Sequence, residues 1–304
     1  MPIEVLVADQ QLTCQQVLAA EGSVEAATEL GVQVVLGAGG GPPPPPAYGY
    51  VNAVEFDGPA SDGANQRMDT GKSEPGGLSA FTMMMVFELD VWHGSILATQ
   101  WTDNPAFNSW IIAPSSDGDY GPGSNGLRLW IQNGGGIIAC QALIDPPPAA
   151  GTRVQVVVRY DGSGVGNAAR ARIWVAIGAE ATLTEYVLTF LEPFGPSSVP
   201  AALNTSTSNF YVGGGTYSTA RAVTGVILDA AYWASALDPT DIAALRAAGA
   251  PVDPETVIPC DSHWWMGNGD NDVGTFIEDI GADGFDGTLE TGGNPATAPV
   301  IVAL

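Results

Sequence analysis

The chain has 304 residues and carries 33 acidic side chains against nine basic ones, so its formal net charge at pH 7 is −24. Binding to nucleic-acid phosphates needs clustered Lys and Arg, and a chain whose single lysine is Lys72 offers no such cluster. The composition therefore excludes nucleic-acid binding and disfavours an anionic membrane surface. Hydrophobic residues make up 45% of the chain and charged residues 14%, which is enough apolar material to bury a large core.

The N-terminal residues Met1–Val5 have neither a basic region nor a long apolar run, so we expect no signal peptide. No stretch approaches the roughly 20 apolar residues of a membrane-spanning helix, so we expect no membrane insertion. Cys14, Cys140 and Cys260 are far apart and match no metal-binding or disulfide spacing. We expect buried free thiols in a protein that is made and kept in the cytosol, unless it leaves by cell lysis or assembly.

Residues 1–36 form a predicted small α+β subdomain. Strands are predicted over Ile3–Val7 and Val32–Leu36, with helices over Gln10–Ala20 and from Ser23 to Leu30 between them. The predicted unit is either an anchoring module or a generic capping subdomain.

The strand–helix–helix–strand order resembles the LysM fold. The segment Gly22–Ala27 is similar to the start of the second helix in LysM-like segments of phage tail proteins. Residues 37–47 follow as a Gly/Pro-rich linker, in which the consecutive prolines Pro42–Pro46 favour a stiff, extended polyproline spacer.

From residue 48 onward the pattern predicts an all-β fold. Short alternating or apolar segments, separated by turn residues, are typical of antiparallel strands. The predicted strands are Ala53–Gly58, Phe81–Leu89, Ser95–Thr99, Trp110–Ala113, Leu127–Ile131, Ile137–Ala142, Arg153–Tyr160, Arg170–Ile177, Phe210–Gly213 and Val223–Trp233. A single late helix begins at Asp238-Pro239 and ends before Gly249 and Pro251. This order predicts a two-sheet antiparallel jelly-roll sandwich with a small α+β N-terminal subdomain.

A collinear series of short segments resembles laminin-G-like, concanavalin A-like jelly rolls. The matching pieces are Phe56–Gly58, Phe81-Thr82, Arg159–Gly162, Ile173–Val175, Tyr211–Gly214, Gly225–Asp229 and Ala236–Ile242. Residues 262–272 (SHWWMGNGDND) and 280–289 (IGADGFDGTL) resemble such domains in structural proteins of tailed viruses. In that family these letters more often precede the first strand. Residues 250–304 are therefore either a permuted segment that closes a 48–304 domain or the remnant of a truncated second repeat.

The most enzyme-like segment contains Glu88, Asp90 and His93. Related jelly-roll glucanases carry E-x-D-x-x-E on a strand, with a nucleophilic first Glu and an acidic last Glu. Here His93 replaces the acid, so the resemblance implies no glycosidase, and outward-facing polar residues are the alternative interpretation. With His93 and His263 as its two histidines, the chain offers no basis for a hydrolase triad, and we expect no enzyme.

Calcium is the cofactor that the acidic loops favour, because hard cations take several oxygen ligands from a short loop. Two candidate sets are Asn268, Asp270, Asp272 and Asp279, or Asp103, Asp117 and Asp119. The alternative interpretation is that these Asp-Gly sequences simply form turns.

A glycan platform is the second candidate site, because sugar C–H faces stack on aromatic rings. Trp92, Trp101 and Tyr120 lie in or beside predicted loops, where exposure favours binding, although packing is the alternative for each. The tryptophans of predicted strands are expected in the core: Trp130, Trp174 and Trp233.

These resemblances together imply a non-enzymatic virion component, such as a head decoration, turret or tail-fibre protein. Residues 1–36 would bind other virion proteins, and the jelly roll would bind host-surface glycan, with a homo-oligomer expected by analogy of fold. A cellular carbohydrate-binding module or adhesin and a glycoside hydrolase are the alternatives.

Overall fold

The computed structural model describes thirteen stretches of the chain: residues 4–7, 10–13, 49–57, 66–73, 77–92, 94–101, 109–115, 125–133, 136–194, 198–206, 208–216, 222–291 and 298–304. The chain divides into two compact units, Met1–Pro46 and Ala47–Leu304. Within the stretches given above, none of the helices combines the length and apolar character that crossing a bilayer demands.

In the N-terminal unit the structure describes a β-hairpin. Strand β1 (Glu4–Val7) pairs antiparallel with β2 (Gln10–Thr13), and Val7 lies opposite Gln10. The helix predicted to start at Gln10 is therefore wrong over β2, because antiparallel pairing with β1 overrides the helix propensity of Gln and Leu. The remaining predicted elements of this unit and the linker lie outside the described residues.

The second unit contains two large antiparallel sheets, which confirms the predicted sandwich. The eight-stranded sheet has the order β12 (Thr184–Tyr186), β11 (Ala171–Ile177), β10 (Arg153–Asp161), β5 (Ala80–Leu89), β15 (Thr224–Trp233), β3 (Asn52–Asp57) and β21 (Val300–Ala303), and β18 (Ser262–Trp264) also pairs with β15. The nine-stranded sheet has the order β13 (Leu188–Phe194), β9 (Gly136–Leu143), β8 (Gly126–Asn133), β7 (Trp110–Ser115), β6 (Ala98–Gln100), β14 (Tyr211–Val212), β4 (Arg67–Asp69), β20 (Gly287–Glu290) and β19 (Phe276–Ile277). A small separate ladder joins β16 (Arg246–Ala247) and β17 (Ala250–Pro251).

The main core lies between the two sheets. Alternate residues of β5, including Phe81 and Phe87, point into it together with residues from the facing sheet. Phe81 stacks on Trp110 of β7 with ring centroids 5.1 Å apart. Cys140 also lies here, and it and Cys260 are buried free thiols, as predicted.

A second core covers the outer face of the eight-stranded sheet. Met84 and Val86 of β5 point outward and are fully buried beneath residues that follow β15, including Ile242 and Leu245. Because both faces of β5 are buried, the strand is a continuous apolar run rather than an alternating one.

The predicted helix supplies part of this cover. It spans Pro239–Ala244, and Asp238 caps it by accepting from the Thr240 amide at 2.9 Å. Two further short helices, Asn167–Arg170 and Pro254–Val257, correct the expectation of a single helix. Four residues are too few to show helical periodicity in a sequence.

The segment after residue 260 builds into both sheets. Strand β18 extends the sheet beside β15, whereas β20 pairs with β4 of the other sheet. Trp264 is fully buried, and its indole Nε1 donates to the Phe285 carbonyl at 2.8 Å, while Trp265 is half-buried. This segment therefore contributes strands to both sheets of the sandwich.

Candidate functional site

Glu88, the candidate nucleophile, lies on the outer face of β5 in an ion pair. It is the cross-strand partner of Arg153, whose Nε and Nη2 atoms lie 2.8 and 2.7 Å from Glu88 Oε1. Asp90 is exposed just beyond the end of the strand, and His93 lies outside the described residues. This arrangement fits the interpretation of outward-facing polar residues.

In the predicted calcium loop, Asn268 connects two segments of backbone. Its Oδ1 accepts from the Val51 and Asn52 amides at 3.1 and 2.9 Å, and its Nδ2 donates to the Asn52 and Met266 carbonyls. All of the side chain's hydrogen-bonding groups therefore hold the start of β3 against the chain after Trp264.

The carboxylates of this loop bind backbone amides as well. Asp272 accepts from Glu278 and Gly269, and Asp279 accepts from three amides, the shortest contact being 2.7 Å from the His263 nitrogen. Burial raises the pKa of Asp272, and the charge of Glu278 raises it further.

Asp270 is exposed, and the described carboxylates of this loop do not gather into a common metal-binding cluster. Calcium at this loop stays a prediction. The second set, Asp103, Asp117 and Asp119, lies outside the described residues.

The predicted aromatic platform is buried where the structure describes it. Trp92 is 8% exposed and packs in the main core near Phe87, while Trp101 is 3% exposed and packs beside Trp130. The expectation that a loop position exposes Trp92 and Trp101 is thus wrong. An indole ring is a large apolar surface, so packing it against other side chains is more favourable than leaving it in water. Tyr120 lies outside the described residues, and glycan binding by these three residues stays a prediction.

A surface groove of about 310 Å³ lies at the edge of the eight-stranded sheet. It forms where the chain passes from β12 to β13 through the single residue Val187, next to the helix Asn167–Arg170. Its lining residues combine small apolar side chains, an aromatic ring and a charged pair: Ala168, Ala171, Arg172, Glu185, Tyr186, Val187 and Leu188.

Arg172 and Glu185 form a bidentate ion pair in this groove. Arg172 Nε lies 2.6 Å from Glu185 Oε1, and Nη2 lies 2.5 Å from Oε2. Their side chains are 28% and 39% exposed, so both still present polar atoms to solvent. Val187 is 94% exposed and offers an apolar surface beside them. Sequence reasoning missed this groove because no turn residue marks the crossing between the sheets.

A buried polar cluster lies at the outer face of the eight-stranded sheet, beside the second core. A register shift against β5 adds Leu228 to β15, so that Leu228 and Asp229 both turn to the outer face. Asp229 is fully buried and accepts from the Tyr50 hydroxyl at 3.1 Å and contacts His263 Nε2 at 3.0 Å. An aspartate within the apolar run of β15 was the available sequence signal, since a buried charge requires partners.

The cluster continues from His263 to Glu255 and Cys260. His263 Nδ1 lies 3.9 Å from Glu255 Oε1, which also accepts from the Cys260 amide at 3.2 Å. Burial alone would lower the pKa of His263, but the nearby charge of Asp229, its hydrogen bond and the charge of Glu255 outweigh burial and raise that pKa. Burial raises the pKa of the Cys260 thiol.

No protein-family model and no curated protein matches the chain. Among solved structures, the heptameric SAP-like pentraxin of Limulus polyphemus is similar, at 14% identity and a TM-score of 0.41 over 81% of this chain and 98% of that one. The CBM40 of the Ruminococcus gnavus IT-sialidase, solved bound to α2,3-sialyllactose, has 15% identity and a TM-score of 0.41 over 66% of this chain and 100% of that one. The described strands themselves establish the fold as a two-sheet antiparallel β-sandwich. The viral setting and the LysM-like segment stay predictions.

Proposed function

We propose that this chain is a non-enzymatic virion structural protein that displays a lectin-like sandwich and binds host-surface glycan. It would serve as a head decoration, turret or tail-fibre component. The similarity of residues 262–272 and 280–289 to tailed-virus structural proteins supports the viral setting. The groove beside β12 supports the binding role.

The chemistry of the groove is the observation that carries the glycan proposal. Sugars present apolar C–H faces and pairs of neighbouring hydroxyls, so their sites combine apolar or aromatic surfaces with a few planar polar groups. Tyr186, Val187 and Leu188 supply the first kind of surface. The Arg172–Glu185 pair supplies donors and acceptors in one plane for two adjacent hydroxyls.

The ion pair also makes an acidic ligand less suitable. Glu185 neutralises Arg172 within the groove, so the site has no unpaired cation, and the chain around it has a net charge of −24. We therefore propose that the ligand is a neutral oligosaccharide.

A glycan array, probed with the purified chain with and without calcium, tests the binding role. We expect selective binding to neutral oligosaccharides at both conditions, because the groove lining contains no cluster of carboxylates for a cation. An absence of any bound glycan would contradict the proposal. If glycan binding required calcium, the binding site would instead be assigned to the predicted acidic loops.

The virion role is tested separately on purified particles. The chain should copurify with particles at a fixed copy number per particle and should resist removal by gradient sedimentation. Its absence from particles, combined with glycan binding by the isolated chain, would favour a cellular carbohydrate-binding module.

A further inference from the structure

The donor atoms of Glu255, Cys260 and His263 lie within 4.8 Å of one another beneath the outer face of the eight-stranded sheet. His263 is fully buried and Cys260 is 1% exposed, whereas the Glu255 side chain is 28% exposed. Within the described part of the chain, no other group of this kind brings three such donors together. We propose that these three residues bind a divalent zinc-type metal ion.

The orientation of His263 supports metal binding. Its Nε2 faces the Asp229 carboxylate at 3.0 Å, and the second Asp229 oxygen accepts from the Tyr50 hydroxyl. The hydrogen bond to the Asp229 carboxylate places a proton on Nε2. A metal ion would displace any proton from Nδ1, which faces Glu255, and would bind the lone pair of that nitrogen. Metal-binding histidines typically donate their other ring N–H to a carboxylate in this way.

One distance in the cluster, from His263 Nδ1 to Glu255 Oε1, is close to that between ligands of a four-coordinate zinc site. Zinc bond lengths of about 2.0–2.3 Å place neighbouring tetrahedral ligands about 3.4–3.6 Å apart. His263 Nδ1 and Glu255 Oε1 are 3.9 Å apart, so a small inward movement of side chains brings them into range. Because the Glu255 side chain is 28% exposed, solvent would supply a water molecule as the fourth ligand.

The types of donor select the metal. A thiolate with an imidazole suits zinc, whereas calcium and magnesium take oxygen ligands alone. A divalent cation would also offset the charges of the Cys260 thiolate and the Glu255 carboxylate, which are otherwise costly in a buried location. The bound ion would tie the helix Pro254–Val257 to β18 and so hold the second core on the sheet.

The test uses the full chain with Cys14→Ser and Cys140→Ser, so that Cys260 is the remaining thiol. After chelator treatment, Zn²⁺ is titrated calorimetrically, and Co²⁺ is added in parallel to look for a thiolate-to-cobalt charge-transfer band. We expect one metal ion per chain, a cobalt band and a higher Tm with zinc. Asp229→Asn should weaken zinc binding by about 10–100-fold through loss of the supporting hydrogen bond.

Cys260→Ser in the wild-type background should abolish the cobalt band, while Cys140→Ser, which alters a buried thiol in the main core, should leave it unchanged. The absence of zinc binding and of a cobalt band would overturn the proposal, and would leave His263 as a structural partner of two carboxylates. A band that survives Cys260→Ser would overturn it equally.

Discussion

Many acidic side chains of the described residues bind backbone amides at turns and helix ends. The carboxylates with such contacts include Asp69, Asp161, Asp238, Asp253, Asp261, Asp272 and Asp279. These contacts satisfy amide groups that strands and helices leave unpaired at their ends. In the described loops, aspartates of the segments that suggested calcium therefore also fix the loop conformation.

Asp161 gives a pH-dependent prediction. It accepts from the Ser163 hydroxyl at 2.6 Å and pairs with Arg159 at 2.7 Å. The Ser163 hydrogen bond, together with the Arg159 charge, lowers the pKa of Asp161 below its ordinary value. A carboxyl group whose pKa is lower in the folded chain than in the unfolded chain stabilises the fold at pH values above its unfolded-state pKa. This stabilisation is lost as the pH falls through the folded-state pKa.

Asp161→Asn should therefore lower the Tm at about pH 7, and the gap from wild type should narrow towards about pH 3. Thermal melts across this range measure the effect. Asp90→Asn, which removes the same charge from an exposed site, serves as the control. A difference in Tm between wild type and Asp161→Asn that stays constant with pH would show that the charge of Asp161 does not contribute to stability.

Gly225 is required by a close approach of two strands. Its φ of +134° is one that L side chains rarely adopt, and a Cβ there would lie 2.3 Å from the Glu88 carbonyl oxygen. Gly225→Ala should lower the free energy of unfolding by about 2–4 kcal/mol, through strain and overpacking combined.

The matched control is Gly71→Ala, where φ is also positive but nothing lies within 4 Å of the added Cβ. It should cost about 1 kcal/mol from backbone strain alone. Urea unfolding measures both. Equal losses in the two variants would mean that the close approach at Gly225 has no energetic effect.

At the level of elements, the sequence predicted those whose residues have a clear local pattern. Strands β8 and β9, the long strands β5 and β15 and the helix capped by Asp238 follow from alternation, apolar runs and capping residues. Strands β12 and β13 were missed, because one residue joins them and no Gly or Pro marks the crossing.

The candidate sites were less predictable, because they depend on contacts between distant residues. Asp229 and His263 are 34 positions apart, and Arg172 and Glu185 are on different strands. No local pattern indicates that either pair meets. The burial of Trp92 and Trp101 was likewise decided by packing of whole elements rather than by their loop positions.

The second core is predicted to be essential for stability. Ile242 is fully buried where the helix Pro239–Ala244 packs on the eight-stranded sheet. Ile242→Ala should lower the free energy of unfolding by about 2–5 kcal/mol, since it removes buried methyl groups and leaves a cavity.

Val165→Ala is the control, because Val165 is 94% exposed. This change should alter stability by less than about 0.5 kcal/mol. Denaturant unfolding of both variants gives the comparison. A loss at Ile242 as small as that at Val165 would mean that the helix does not stabilise the sheet.

At the scale of the whole molecule, the proposal of a binding protein predicts the absence of glycosidase activity. Glu88, the residue in the nucleophile position of the glucanase pattern, is paired with Arg153. Incubation with laminarin-type glucans should release no reducing ends. Release that disappears in Glu88→Gln would overturn the assignment as a non-enzyme.

The net charge of −24 acts on any ligand that approaches the molecule. Like charges repel over about 10 Å at 0.1 M salt, so anionic glycans should bind more weakly than neutral ones of the same core, and added salt should reduce the difference. Paired titrations with a neutral glycan from the array and its sialylated form measure this. Tighter binding of the sialylated form at low salt would contradict it.

Calorimetric titration of the best array glycan into matched variants tests the groove most directly. Arg172→Ala removes the charged pair from the groove, whereas Arg153→Ala removes the Arg153–Glu88 pair elsewhere on the same sheet. We predict that Arg172→Ala weakens binding at least tenfold, which is about 1.4 kcal/mol, and that Arg153→Ala binds like wild type. An unchanged Kd for Arg172→Ala, with the variant folded, would contradict glycan binding in the groove.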